Sequence, residues 1–274
     1  MSKLTFGSVL LSLVVPLCAQ DAREIVELSV NAPVPNPLLE TSYTWLAQEH
    51  SDELDSKGRL KRTKSRKFEV FYLGLKRYER ILEEDGKPLS PREAEKQQQK
   101  LDRAAAEASR LTEKERQKRE KEMIDDRAKE RERLRYIPLA YDFRLVEETV
   151  LNGRPVWVID AEPRKSYRGK YDNLLRNMRG RLWIDKTDYR WARIEAEALE
   201  NISFGLFLAK LSQGAKITFE QKRVNNEVWL PSSFSVKAQA RLLVKRVNVG
   251  AEAVFTDHRK FQAQSRITVA EQDQ

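Results

Sequence analysis

The sequence has few of the residues on which disulfide-stabilised folds and metal centres depend. Its 274 residues include one cysteine and two histidines, which excludes an internal disulfide framework and a metal site rich in Cys or His. Ten Gly and ten Pro are too few for a fibrous or low-complexity protein. With 40% hydrophobic residues, the chain can bury a core of one large domain or two small ones.

The sequence also lacks the motifs of common catalytic sites. It contains no Gly-x-Ser-x-Gly elbow and no glycine-rich phosphate loop. His258 follows Asp257, a pair that could orient a general base, but no nucleophile motif accompanies it and we expect a surface histidine. Asp185 and Asp188 flank a turn, where Asp is favoured because it bonds backbone amides. The sequence therefore predicts no enzyme, no cofactor and no metal ion, and a secreted hydrolase is the least favoured function.

The N-terminus carries an export signal. Lys3 precedes an apolar run over residues 4–17, and small residues follow it, which is typical of a secretory signal peptide and too short for a spanning helix. We therefore expect a signal peptide over residues 1–20, a single domain over residues 21–274 and a periplasmic location. A lipid anchor through Cys18 is the alternative, although leucine precedes Cys18 where lipoproteins have a small residue.

The net charge of +9 suggests nucleic acid in a cytoplasmic protein, but export argues against that partner. Much of the charge lies in residues 91–135, where basic and acidic side chains alternate as on a solvated helix. Capping boxes at Ser90–Glu93 and Thr112–Glu115 predict helix starts. The segment is one long helix or a helical hairpin, docked through a stripe of Leu and Ala side chains. The alternative is an arm that contacts an envelope protein or an anionic membrane.

The rest of the chain has the pattern of antiparallel strands. Alternating or β-branched runs fill residues 38–85 and 138–262. Asn152-Gly153 is a strong hairpin signal, and Asn248 and Gly250 mark a last reversal. Ten or eleven consecutive strands form a sheet so wide that it must curl or split. The predicted fold is mainly β with helices: a curved antiparallel sheet with a helical lid and a long charged helical insertion.

One face of this sheet is apolar and short of a cover. Ile194 and Ala196 form one apolar row, and Ile217 and Phe219 form another. The only covers that the sequence offers are the 91–135 insertion and a short helical turn near residues 171–178. An uncovered apolar face is typical of a ligand site, so we expect this face to bind hydrophobic molecules.

Three stretches of the sheet resemble a known family. They are Gly-Arg-Leu-Trp-Ile-Asp at 180–185, Tyr-Arg-Trp-Ala-Arg-Ile-Glu at 189–195 and Val-Trp-Leu-Pro at 228–231, and they resemble the outer-membrane lipoprotein-sorting superfamily, the LolA/LolB-like proteins with the related RseB/MucB domains. The resemblance is best over residues 140–262. It implies an unclosed β-barrel of about eleven antiparallel strands, with helices over a cavity that holds acyl chains. The charged insertion is not part of the usual carrier pattern, and no functional residue of the carriers is matched here.

The resemblance and the apolar face together predict a periplasmic protein that binds or carries the acyl chains of lipids or lipoproteins. The alternative is an envelope-stress sensor or interaction module that uses the 91–135 arm as a partner surface. Six residues are predicted to line the cavity: Phe71, Ile184, Ile194, Ala196, Ile217 and Phe219. Five tryptophans lie on predicted strands, and we expect most of them to fill the core and some to line the pocket.

Overall fold

The structure, a computed structural model, describes residues 21–33, 36–54, 59–204, 209–242 and 245–261. The predicted signal peptide and Cys18 lie outside the described residues. The strands are β1 (Tyr43–Leu54), β2 (Leu60–Leu73), β3 (Lys76–Glu84), β4 (Lys87–Pro88), β5 (Tyr141–Leu151), β6 (Arg154–Pro163), β7 (Met178–Asp185), β8 (Trp191–Ala198), β9 (Ile202–Phe204), β10 (Ala209–Leu211), β11 (Lys216–Val224), β12 (Val228–Leu242) and β13 (Lys245–Lys260). The helices are α1 (Ala22–Asn31), the 3-10 helix η1 (Pro37–Ser42), α2 (Pro91–Ser109), α3 (Glu113–Leu134), α4 (Ile137–Ala140) and α5 (Asp172–Leu175).

A single antiparallel sheet organises the molecule. Eleven of its strands follow the order β4-β3-β2-β1-β13-β12-β11-β8-β7-β6-β5, and the short β9 and β10 pair beside β12. Strand β1 pairs with β13, so the first and last described strands meet inside the sheet. Within the described residues the end strands β4 and β5 do not pair with each other. The sheet is therefore an unclosed β-barrel, and the predicted fold class is confirmed.

The structure confirms one of the two predicted chain reversals. Asn152 and Gly153 have φ of 51° and 77°, the left-handed pair that a tight hairpin turn needs. The reversal predicted at Asn248 and Gly250 is wrong. Strand β13 continues through both residues, which pair with residues of β1 and of β12. The chain instead reverses between Leu242 and Lys245.

The charged insertion consists of two helices, α2 and α3, joined by a short turn at residues 110–112. Ser90 caps α2 and Thr112 caps α3, each with a complete capping box, as the sequence predicts. The apolar stripe of α2 reaches the turn between β2 and β3 at Gly74, whose φ is +53°. A Cβ there would lie 3.0 Å from both Ala108 and Leu111, so only glycine allows this close approach. None of the helices within the described ranges is long and apolar enough to cross a bilayer.

Helix α1, which the sequence analysis does not predict, covers much of the apolar face. Asp21 caps it, and the buried side chains of Ile25, Val26 and Val30 pack against strands β6 and β7. We had expected only the insertion and a short turn to cover this face, and that expectation is wrong. The predicted helical turn over 171–178 is shorter, because α5 covers only Asp172–Leu175 and Met178 already begins β7.

We call the face under α1, η1 and α3 the inner face. Residues directly opposite each other in antiparallel strands share a face, which joins Leu182, Ile194, Phe219, Phe234 and Ala253 in one row across β7, β8, β11, β12 and β13. A second apolar cluster continues on β1 and β2 and packs against η1 and α3; its buried members there are Tyr43, Trp45, Ala47, Phe68, Val70 and Tyr72.

Candidate functional site

A cavity of about 470 Å³ lies between the inner face, η1 and α3. Its volume is within the range of small-molecule sites, about 300–1,000 Å³. The apolar wall comes from the sheet and consists of Trp191, Ile194, Phe219, Val228, Trp229 and Pro231. The charged wall comes from η1, α3 and the turn before β8, and consists of Glu40, Arg127, Glu130, Arg131 and Arg190. The arrangement suits a molecule that is apolar along one side and polar at one end.

Strand register builds the apolar wall. Ile194 of β8 pairs with Phe219 of β11, and both side chains are only half-buried. A bulge between Glu220 and Gln221 shifts the pairing of β11 with β12, so that Gln221 lies opposite Pro231. The bulge therefore places Pro231 of β12 beside Gln221 in the lining, where a regular register would place Ser232.

The turn between β7 and β8 presents Tyr189, Arg190 and Trp191 to the cavity. Asp185, which is fully buried, accepts hydrogen bonds from the amides of Thr187 and Asp188 at 2.9 and 2.8 Å. Tyr189 has φ of +54°, a left-handed conformation that a bulky residue adopts only under local constraint. The Asp185 carboxylate supplies that constraint, which is the turn role that the sequence predicts for it.

A salt bridge beneath this turn keeps Asp185 ionised. Arg154 donates two hydrogen bonds to it, Nε to Oδ2 at 2.6 Å and Nη2 to Oδ1 at 2.8 Å. Burial alone would raise the pKa of Asp185, but the Arg154 and amide hydrogen bonds outweigh it and lower the pKa below the ordinary value. Because a lowered pKa stabilises the folded state above the unfolded-state value, this contribution is present at neutral pH and is lost as the pH falls below about 4.

Hydrogen bonds orient the two tryptophans of the apolar wall. Trp229 donates from Nε1 to Asp188 Oδ2 at 2.9 Å, and Arg223 bonds the same carboxylate at 2.8 Å. Trp191 donates from Nε1 to the hydroxyl of Ser29 on α1 at 2.7 Å. Both indole N–H groups are satisfied, so the two rings are held in fixed orientations on the apolar wall.

The charged wall links α3 to the rest of the molecule. Arg127 donates to Glu40 of η1 at 2.7 Å, and Tyr72 of β2 donates to the same carboxylate at 2.5 Å. Burial, followed by the charge of Glu40, raises the pKa of Tyr72, so this hydroxyl remains a donor. Arg131 donates to the backbone oxygen of Ser29 at 2.8 Å. Ser29 of α1 and Glu40 of η1 are thus each bonded to an arginine of α3.

The structure brings two of the six predicted residues to the cavity. Ile194 and Phe219 line it. Ile184 is fully buried under α1 as part of the packed core. Ala196 and Ile217 belong to a separate cluster with Met178 and Ala198 near α5, so they do not line this cavity.

Phe71 is on the opposite face, and its inclusion in the inward row is wrong. It lies between Val70 and Tyr72, which both belong to the inner-face cluster, and successive strand residues point to opposite faces. Its ring stacks on Tyr78 with centroids 6.3 Å apart, and the Arg80 guanidinium lies 5.8 Å from its centroid.

Sequence reasoning missed the charged wall and did not sort the tryptophans. Trp191 and Trp229 line the cavity, whereas Trp45 and Trp157 are core residues. Trp183, on the outer face, lies under the Arg193 guanidinium at 4.9 Å. The arginines of α3 that line the cavity are spaced four residues apart, at 127 and 131, the one available signal that one helix face presents them together.

His258 is not the surface histidine that we expected. It is half-buried, its ring stacks on Trp45 with centroids 6.1 Å apart, and Nε2 lies 2.8 Å from the Pro231 oxygen. Asp257 bonds Arg259 instead. An Asp-His pair that could act as a general base is therefore not formed within the described part of the chain.

No protein-family model and no curated protein matches the chain. Among solved structures, it is similar to a domain described as an outer membrane lipoprotein-sorting protein from Vibrio parahaemolyticus, at 11% identity and a TM-score of 0.32, over 90% of this chain and 94% of that one. It is similar to a LolA superfamily protein from Nitrosomonas europaea at 9% identity and a TM-score of 0.30, over 88% and 94%. It is also similar to a chain of the MucA/MucB complex of Pseudomonas aeruginosa at 11% identity and a TM-score of 0.22, over 88% and 99%. At such low TM-scores the ligand has to be argued from this chain's own residues. The solved structures similar to this chain therefore include members of the superfamily that its sequence motifs resemble.

Proposed function

We propose that the protein is an exported, non-catalytic binding or carrier protein whose cavity takes up the acyl chain of a lipid or of an acylated protein. The observation that carries the proposal is the half-buried apolar wall. Ile194 and Phe219 pair with each other on the inner face, and both are only half-buried and line the cavity. Apolar side chains left in a concave site are typical of ligand pockets.

The energetics favour a chain-like ligand. Burying each methylene contributes about 0.8 kcal/mol, so about ten methylenes contribute about 8 kcal/mol before the cost of ordering the ligand. That is the free energy of a dissociation constant of about 1 μM. The rigid faces of Trp191 and Trp229 and the branched side chain of Ile194 supply the surface for these contacts.

Export to the periplasm through the predicted signal peptide over residues 1–20 is part of the proposal. An acyl chain that crosses an aqueous compartment needs a protein to shield it, because exposed methylenes are unfavourable in water. A lipid anchor through Cys18 would place the same cavity at a membrane surface. N-terminal sequencing of protein isolated from the cell envelope tests this, since a start near residues 20 or 21 supports the soluble form and an acylated Cys18 contradicts it.

The test of the cavity is Phe219→Glu with a fluorescent fatty alcohol as the probe. The probe is uncharged, so the variant acts through the wall and not through repulsion of a headgroup. We expect binding at least tenfold weaker, with little change in thermal unfolding, because Phe219 is already hydrated at the cavity surface. Val254→Glu is the matched control, since Val254 lies on the outer face and is 50% exposed. Unchanged binding in Phe219→Glu, or a variant that cannot fold, would contradict the proposal.

The second candidate, a sensor or interaction module that uses residues 91–135 as its partner surface, rests on the exposed side of helices α2 and α3. Ile124 of α3 is 45% exposed and is not one of the residues that line the cavity. A pull-down of envelope proteins with the intact chain, repeated with Ile124→Glu, tests this candidate. Loss of one specific partner in the variant would favour it over a carrier that acts alone.

A further inference from the structure

Arg190 differs from the other arginines around the cavity. Among the residues that the structure describes, no side chain or backbone oxygen accepts a hydrogen bond from its guanidinium, and its buried Nε has no partner. Arg193 and Arg223 also have an unpaired Nε, but each bonds a carboxylate through its terminal nitrogens. An unpaired, largely buried charge is costly unless something else compensates it.

The surroundings of Arg190 add positive charge. Arg131 and Arg127 line the same wall. The two lining carboxylates, Glu40 and Glu130, both bond Arg127, so neither Arg131 nor Arg190 has a carboxylate partner within the described residues. Asp188, the acid whose charge acts on Arg190, is held by Arg223 and Trp229. This part of the wall therefore has an excess of positive charge and free N–H donors.

The charge persists at neutral pH. Burial, followed by the charge of Arg131, lowers the pKa of Arg190 to about 10, which still leaves the guanidinium protonated in the periplasm. A guanidinium that is charged, partly desolvated and without a partner is well suited to bind a carboxylate or phosphate through paired hydrogen bonds.

We propose that Arg190 and Arg131 form an anion subsite, and that the cavity takes an amphiphile whose single chain lies on the apolar wall and whose carboxylate or phosphate headgroup binds these two arginines. The inference rests on the proposed function and names the chemical class of the ligand. Arg190 directly precedes Trp191 of the apolar wall, so head and chain contacts are adjacent. Carboxylate and phosphate share the negative oxygens that a guanidinium recognises.

The subsite would also link the ligand to α3, the helix that lies over the cavity. Arg190 belongs to the sheet, at the turn before β8, whereas Arg131 belongs to α3. A headgroup that binds both would join α3 to the sheet at the point where two positive charges now repel each other. Ligand binding would therefore hold α3 against the inner face, and loss of the headgroup would weaken that contact.

The experiment measures displacement of the bound fluorescent fatty alcohol by three competitors with the same chain: hexadecanoic acid, hexadecyl phosphate and hexadecanol. We expect one or both anions to compete at least tenfold better than hexadecanol in the wild-type protein. In Arg190→Gln this advantage should fall at least tenfold, while competition by hexadecanol stays the same. Comparison of the two anions identifies the headgroup. Arg131→Gln, which should lose part of the advantage, is the second variant.

Arg116→Gln is the matched control, because it removes the same charge from a side chain of α3 that is 54% exposed. Thermal unfolding provides an independent readout: Arg190→Gln should melt at the same temperature as the wild-type protein or above it, because it removes an unpaired, partly buried charge.

Equal competition by all three molecules would overturn the anion subsite and leave the proposed function intact. Failure of all three to compete, with no binding of the fatty alcohol, would overturn the proposed function itself. An equal loss in Arg116→Gln would assign the preference to net charge and overturn the subsite.

Discussion

Two helices cover the inner face, and they are held there by different physics. Helix α1 has ten residues, of which Ala22, Ile25, Val26, Ser29 and Val30 are buried. Helix α3 has 22 residues, and none of them, in this fully described helix, is buried. It reaches the rest of the molecule mainly through arginines: Arg119 donates to the Gly74 oxygen, Arg127 to Glu40 and Arg131 to the Ser29 oxygen.

Helix α1 is therefore part of the hydrophobic core, whereas α3 is a cover that lies over the cavity without joining the core. Burial of α1 side chains is strong and depends little on salt, since it is hydrophobic. Ion pairs and hydrogen bonds at half-exposed positions contribute about 0–1 kcal/mol each and are screened by salt. The cavity lies where the two kinds of contact meet, beside Ser29, whose hydroxyl bonds Trp191 and whose backbone oxygen bonds Arg131. We infer that the α3 side of the cavity opens more easily than the α1 side.

Truncating one apolar side chain in each helix gives the largest expected contrast. Ile25 of α1 is fully buried, whereas Met123 of α3 is half-buried against the second cluster. Ile25→Ala should lower the free energy of unfolding by about 2–5 kcal/mol, and Met123→Ala should lower it by less than half as much because little cavity forms. Urea unfolding followed by tryptophan fluorescence measures both variants. Equal losses would show that α3 belongs to the core as much as α1 does.

Replacing residues 91–135 with a short Gly-Ser linker comes next in expected effect. The β-rich circular dichroism and most of the stability should remain, because the insertion supplies ion pairs and edge contacts, and not a buried apolar layer. The fluorescent fatty alcohol should exchange faster, because one wall of the cavity is lost. Stopped-flow displacement measures this rate. Global unfolding of the shortened protein would contradict the distinction between core and cover.

The comparison also shows which features the sequence predicts well. Both capping boxes and the Asn152-Gly153 turn are local patterns, and the structure confirms them. Helix α1 was missed because its ten residues directly follow the apolar signal segment, although Asp21 and the spacing of its apolar residues were a valid signal. The reversal predicted at Asn248 and Gly250 failed because long-range pairing with two neighbouring strands keeps turn-forming residues inside β13.

The site was harder to predict than the fold, for two physical reasons. The face of the sheet on which a side chain lies depends on strand register. Val70, Phe71 and Tyr72 are all largely apolar, so the sequence shows no alternation that decides which of them points inward. The charged wall depends on tertiary contacts that join η1, α3 and the turn before β8. Of the six residues predicted to line the cavity, only Ile194 and Phe219 do so. Ala196 and Ile217 lie on the same two strands but belong to the cluster near α5, so alternation predicted the face and not the position along it.

The smallest expected effect concerns the ion pair between the cover and η1. Glu40→Gln removes the carboxylate that bonds Arg127 and Tyr72. The side chain of Glu40 is 19% exposed and that of Arg127 is 42% exposed. Because the pair is partly solvated, the loss should be about 0.5–1 kcal/mol at low salt. It should shrink at an ionic strength of about 1 M, where the Debye length is about 3 Å. Glu122→Gln is the matched control, since Glu122 pairs with Lys118 only within α3 and should show a smaller loss. Urea unfolding of the three proteins at both salt concentrations measures these differences. A loss in Glu40→Gln that does not depend on salt would show that this contact is held by packing, as in α1, and the contrast between the two helices would fail at this position.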